Sequence, residues 1–344
     1  MGVGRAKAAL TAVTIAAALG LAGHASMAEP ARWRAEWPKT DFSKTTVDFA
    51  SIRSGGPPKD GIPSIDRPKF EQLAGGQARG LAADISDTEA VISLSIEGDA
   101  RAYPLRVLMW HEIANDTVGG KPVSVTYCPL CNAALVFERT LDGQVLDFGT
   151  TGKLRNSDLV MYDRQTESWW QQFTGEAIVG ALTGKSLKLV PSRLESFERF
   201  RKRFPEGKVL VPNNPDLRRY GANPYVNYDA LGGVPFLYLG DLPDGIHAME
   251  RVVAVEITPG RHEAWALSLL RERGEVRSGD IVIRWEAGQA SALDAATVGG
   301  GRDVGNVTVQ RKSGEAFVDV PYDVTFAFVF HAFRPDGTLH RGPL

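Results

Sequence analysis

Two thiols at i and i+3, Cys128 and Cys131 in Thr126-Tyr127-Cys128-Pro129-Leu130-Cys131-Asn132, are the residues of this chain best suited to chemistry. In a turn such a pair converges on one ion, and the intervening proline fixes the backbone. Three readings follow: metal ligation, a redox-active dithiol, or a structural disulfide or buried thiol pair. A bridge closing four residues stabilises by only ~2 kcal/mol, against ~4.7 kcal/mol for a hundred-residue loop. A thioredoxin-like site needs a helix N-terminus at the first cysteine, whereas Ala133 to Phe137 reads as a strand. A lone C-x-x-C also excludes a closed four-cysteine zinc site within one chain.

Further ligands must therefore come from elsewhere. His111, in Trp110-His111-Glu112-Ile113-Ala114-Asn115-Asp116, precedes the same strand and is the expected third ligand. Asn115 lies one helical turn on and would face the same site. Met249 and His247, in an H-x-M on an expected loop, are further candidates. Thiolate, imidazole and thioether donors make copper the first choice and zinc the second. His262, His331 and His340 have no chemical neighbours in the sequence, and His24 falls in the N-terminal segment.

A second cluster runs from Arg155 through Asn156, Asp158 and Asp163 to Trp169 and Trp170. The two aspartates could support a metal-bound group or serve acid–base work; turn chemistry is the competing reading for Asn156, Asp158 and Asp163. Trp169 and Trp170 alternate faces on a strand, which puts one in the core and leaves Trp170 to wall a pocket. No G-x-S-x-G, H-E-x-x-H or kinase signature occurs. The absence of G-x-G-x-x-G and of a P-loop excludes a nucleotide cofactor of those types.

The elements that must position these groups are mostly short strands. Val91 to Ile96 and Ala100 to Tyr103 form a hairpin, and Pro104 opens a helix continuing through Ile113 to a stop at Gly119-Gly120. Val123 to Tyr127, Ala134 to Glu138, Val145 to Phe148, Asp158 to Tyr162 and Ser168 to Gln171 read as a meander. Leu194 to Phe204 reads as a helix, and Val252 to Ile257, Ile281 to Trp285 and Val324 to Phe330 as strands. The expectation is a mostly β fold, α+β at its margin. Antiparallel β-meander sheets or a barrel-like core would carry two or three short helices. No internal repeat is visible.

The 344 residues, 43% hydrophobic and 23% charged with net charge -2, describe a globular protein without a nucleic-acid footprint. Arg5 and Lys7, the apolar run Ala8 to Ala22, and Ser26-Met27-Ala28 together read as a secretory signal peptide over 1–28. The mature chain would then be periplasmic or extracellular with no membrane span. Residues 29–58 read as an arm or linker, and 59–344 as one large β-rich domain that would divide, if at all, near 250–260. The function expected is an exported metal-binding protein, with a copper or zinc metalloenzyme as its catalytic form. An envelope thiol–disulfide oxidoreductase and a non-catalytic β-rich binding module are the alternatives.

A series of motifs also resembles a known family. Asp60-Gly61-Ile62-Pro63, Ala102-Tyr103-Pro104-Leu105, Trp110 to Ile113 with Asn115-Asp116, Thr126 to Cys131, Asn156 to Arg164 and Thr174 to Ile178 stand in the order found in exported bacterial and archaeal proteins grouped as domain of unknown function 3179. The resemblance spans roughly Gly55 to Val255. The chain departs from it at Arg155 (commonly Tyr), at Asn132 (commonly Gly) and at Trp169-Trp170-Gln171 (commonly Leu-Trp-Ser). The family implies no activity.

Overall fold

The computed structural model describes residues 28–342. The expected signal peptide lies outside the described residues, save Ala28, and so does His24. The fold is mostly β, with 41% strand against 13% helix, as small antiparallel sheets set in a propeller-like ring with five short helices among the described residues. Separate sheets in a ring thus stand where a barrel-like core was the alternative, and five helices where two or three were expected.

A repeat that the sequence does not announce organises the ring. The hairpin Ala90–Ile96/Asp99–Pro104 leads into a seven-residue helix, Leu105–His111, and then the strands Ile113–Val118, Lys121–Cys128 and Ala133–Glu138. The hairpin Arg251–Thr258/Arg261–Ala266 leads likewise into a seven-residue helix, Leu267–Arg273, and the strands Glu275–Ser278, Ile281–Glu286 and Asn306–Ser313. Each hairpin is then flanked in the same way. A strand pairs antiparallel on one side (Arg193–Ser196 or Tyr322–Phe326), a helix follows, and a strand pairs parallel on the other (Lys208–Val211 or Thr338–His340). Gly98 corresponds to Gly260, Leu105 to Leu267, Leu108 to Leu270 and Glu112 to Gly274. The first three of these pairs keep their residue type and the fourth does not; few positions along the two copies are identical, because a strand face needs apolar character rather than identity.

Two boundaries differ from the sequence reading for reasons visible in the backbone. The helix opened by Pro104 stops at His111, because Glu112 takes φ 58 and ψ -31 and turns the chain into a strand. Asn115 is therefore a strand residue, not one helical turn from His111. Val324 to Phe330 is likewise split, the strand ending at Phe326 and a helix starting at Ala327. A continuous apolar run cannot separate the two, since both are buried there.

The first copy carries an insertion that reaches the site, the strands Phe148–Arg155, Asp158–Asp163, Trp169–Gln171 and Glu176–Val179, to whose edge Ile52–Ser54, from before the copy, adds a fifth strand. The segment expected as an arm or linker packs on that sheet. Trp37 and Phe42 are buried there against Trp169, with ring centroids 5.2 and 5.5 Å away. Buried side chains from Ile65 to Phe333 form one cluster that joins both copies. Residues 212–250, between the copies, contain no helix or strand.

Candidate metal centre

The cysteine turn is built by hydrogen bonds on both sides of Pro129. Cys131 N donates to Cys128 O (3.2 Å) and Asn132 N to Pro129 O (3.2 Å). Asn132 then takes φ 52, a left-handed angle that asparagine tolerates better than most residues with a Cβ. The turn is held to the second copy: Thr325 Oγ1 donates to Cys131 O (2.8 Å) and Asn132 Nδ2 to Val324 O (2.6 Å).

Asp158 arrives from the inserted sheet. Arg155 and Asp158 pair across a two-residue turn in which Asn156 (φ 51) and Ser157 (φ 68) are both left-handed, as a tight hairpin of this hand requires. One carboxylate oxygen, Oδ2, accepts from Gln171 Nε2 (2.6 Å) and Phe173 N (2.9 Å). The other, Oδ1, is buried and has no hydrogen-bond partner among the described residues. Cys128, Cys131 and Asp158 each offer a ligand atom within 4.8 Å of the others, and all three are buried. Both cysteines are free thiols.

The electrostatics of this cluster are those of acids without a counter-charge. Burial raises both thiol pKa values, that of Cys131 most strongly. Burial also pushes Asp158 up to about 6. Glu112 is pushed up to about 8, by burial first and by Asp158 second. Asp323, whose Oδ1 accepts from Ala134 N at 2.9 Å, is pushed up to about 7 by burial. A divalent cation among these groups would reverse the pattern, since it favours every deprotonated form.

His111 belongs to a different arrangement. Its Nδ1 donates to Pro63 O (2.7 Å), and its Nε2 therefore accepts from Tyr220 OH (2.7 Å). Both ring nitrogens are engaged, and burial lowers the pKa of the ring. It ties the irregular 212–250 segment to the end of the helix Leu105–His111 and is not part of the cysteine group. Met249 is buried in the core and His247 is exposed, and neither joins the group. Asn115 cross-links strands through Nδ2 to Phe148 O (2.8 Å) and Phe148 N to its Oδ1 (3.1 Å). Asp163 serves a turn, accepting from Thr166 N (2.7 Å), and also holds Trp170 Nε1 (2.9 Å). Trp170 is buried, as is Trp169, and neither lines the two cavities described below. The core takes one face of the strand and the N-terminal aromatic residues the other. Asn156 is a turn residue.

A cleft of about 420 Å³ opens beside the cysteine turn, walled by Ile62, Leu130, Leu159, Tyr225, Tyr228 and Phe236, and Glu112 faces into it. Tyr228 OH donates to Leu130 O (3.0 Å), which fixes the irregular segment over the turn. Glu112 escaped the sequence reading. Its residue type was in view, but its place at a helix end in the left-handed region was not. A larger cavity of about 590 Å³ lies elsewhere, against Phe173, Tyr322, Asp323 and Arg334, and includes neither cysteine. Among the described residues no helix is long and apolar enough to cross a membrane.

Residues 59–337 match the family model described as Protein of unknown function (DUF3179). No curated protein matches the chain, and no solved structure does.

Proposed function

We propose, for a chain that belongs to the DUF3179 family, that Cys128, Cys131 and Asp158 bind one divalent cation, zinc before copper, in an exported protein. The observation that carries this reading is Asp158 Oδ1, buried without a partner and within reach of two buried sulfurs. A carboxylate oxygen so placed costs several kcal/mol unless a proton or a cation satisfies it. A cation satisfies the oxygen and both sulfurs together.

The donor set bears on the metal. Copper as first choice drew on imidazole and thioether ligands, but His111 is committed to Pro63 and Tyr220 and Met249 to the core. Two thiolates and one carboxylate suit zinc, which accepts sulfur and oxygen donors alike, better than the softer Cu(I). Three protein ligands also leave a fourth tetrahedral position for water, as catalytic zinc sites do. The burial and raised pKa of both thiols argue against the thiol–disulfide reading, because an attacking cysteine needs an accessible, stabilised thiolate. Export rests on the basic start and apolar run before Ala28.

Metal analysis of the protein purified from cells tests the reading. One zinc per chain is expected, lost in Cys128→Ser/Cys131→Ser and reduced at least tenfold in Asp158→Asn. Wild type and variants alike near zero would remove it. Mass spectrometry of the periplasmic fraction should show a chain starting at Glu29; a full-length cytoplasmic chain would refute export.

A further inference from the structure

We propose that Arg334 and His262 bind the carboxylate of a small monocarboxylic acid whose apolar body lies in the cavity of about 590 Å³, apart from the cysteine group.

Both side chains have donors to spare. Arg334 is half-buried, and among the described residues its guanidinium makes one hydrogen bond, from Nη1 to Phe333 O at 3.3 Å, and no ion pair. Its Cζ stands 6.0 Å from the ring centroid of Phe173. A guanidinium carries five N–H donors, and leaving most of them unmatched in a half-buried place is costly unless an acceptor comes to them. His262, also half-buried, makes no hydrogen bond among the described residues. Burial first and the Arg334 charge second lower the pKa of its ring. The ring is therefore neutral at pH 8 and offers one N–H near the guanidinium. Both residues also line a second cavity of about 400 Å³, so they stand where the two cavities meet.

The first copy shows that packing requires neither group. Its helix Phe197–Arg203 and the helix Ala327–Phe333 of the second copy end alike. Phe204, at φ -132 and ψ 73, donates its N–H to Phe200 O, and Arg334, at φ -135 and ψ 61, donates to Phe330 O, both at 2.8 Å. Gly207 N and Gly337 N then bond back to Phe204 O and Arg334 O. Arg334 thus takes the place of Phe204. His262, two residues after Gly260, takes the place of Ala100, two after Gly98. Phe204 and Ala100 share one apolar cluster in the first copy. The second copy has a guanidinium and an imidazole instead, with a cavity open beside them.

The chemistry of the wall selects the ligand. A planar carboxylate accepts two parallel N–H bonds from a guanidinium, and His262 adds another donor. Glu176 and Glu256 are on the same wall and act on Arg334 electrostatically. Arg311, the next cation, is already paired with Asp280 at 2.6 Å. A doubly charged phosphate ester would therefore meet two carboxylates with one unpaired guanidinium to offset them. Asp323 is turned to Ala134 N through Oδ1. Leu135, Phe173, Leu187, Tyr322 and Phe330 give the body of the ligand an apolar bed, and about 590 Å³ is an ordinary size for a small-molecule site.

The test measures binding of 2-naphthoate, 2-naphthamide and 2-naphthyl phosphate to the purified protein at pH 8, by fluorescence titration with and without a chelator. One naphthoate per chain is expected, bound about tenfold more tightly than the amide or the phosphate, as charged hydrogen bonds imply, and unaffected by the chelator. Arg334→Gln and Arg334→Phe should each bring naphthoate down to the affinity of the amide, with the amide's own affinity unchanged. Arg334→Phe installs the residue of the first copy, so its urea midpoint should stay near wild type. Arg334→Lys, which keeps the charge and loses the fork, should fall between, and His262→Ala should cost about threefold. Absent naphthoate binding, equal affinity for acid and amide, or wild-type affinity in Arg334→Gln overturns the proposal. Binding abolished by the chelator also overturns it, since the carboxylate would then sit on a metal ion.

Discussion

Replacing Glu112 with glycine should stabilise the metal-free protein by about 1 kcal/mol, because it removes left-handed strain and a buried acid together. The reverse change in the second copy should cost a similar amount: at Gly274 an added Cβ meets nothing within 4 Å, so Gly274→Ala isolates the strain. Urea denaturation of both variants measures the pair, and a destabilised Glu112→Gly would contradict it. Acid titration gives a second prediction at this scale. Glu112, Asp323 and Asp158, at about 8, 7 and 6, all lie above their free values of 4.5, 3.8 and 3.8. Each binds a proton more tightly in the folded state. Its contribution is therefore complete below about pH 4 and is lost as pH rises through 6 to 8. The Tm of chelator-treated protein should fall between pH 5 and pH 8, and the gain in Tm on adding zinc should grow over the same range, since zinc needs deprotonated ligands. A metal-free Tm that climbs with pH would contradict the burial. The cysteines were legible in the sequence by spacing, and Asp158 by type. The bond that draws His111 away is to Tyr220, far along the chain, and no local pattern encodes it.

Among the elements, the N-terminal segment departs furthest from its sequence reading. Its tryptophans sit between prolines and polar residues with no periodicity, which reads as linker. The face they cover, Trp169 with Tyr162 and Val179, lies more than a hundred residues on. Trp37→Ala should cost about 3–5 kcal/mol, since its ring is buried edge-on to Tyr162 and Trp169 at 4.8 and 5.2 Å. It should also quench or shift the tryptophan fluorescence. A loss under 1 kcal/mol would mean the segment is only laid on the surface. Strands with clear alternation, such as Val123 to Tyr127, could be placed from sequence. The helix ends could not, because the signal at Glu112 is a dihedral angle carried by a residue with no preference for it.

At the scale of the whole molecule, each copy ends on a strand that pairs parallel with the second strand of its own hairpin, Lys208 with Arg101 and Glu263 with Thr338. These closing strands are made long after the hairpins they complete. During synthesis each hairpin waits with a bare edge, a row of unpaired amides and carbonyls that another chain can extend. The order of manufacture thus builds a period of aggregation risk into the fold, longest for the strand Asp99–Pro104, whose cover lies beyond the whole inserted sheet. A chain ending at Asp336 should leave the edge of Arg261–Ala266 permanently bare, and should elute as aggregates where the full chain elutes as a defined species. Adding a synthetic peptide of residues 337–342 during refolding should restore the soluble form, by the edge pairing that the parallel strand Thr338–His340 makes in the intact protein.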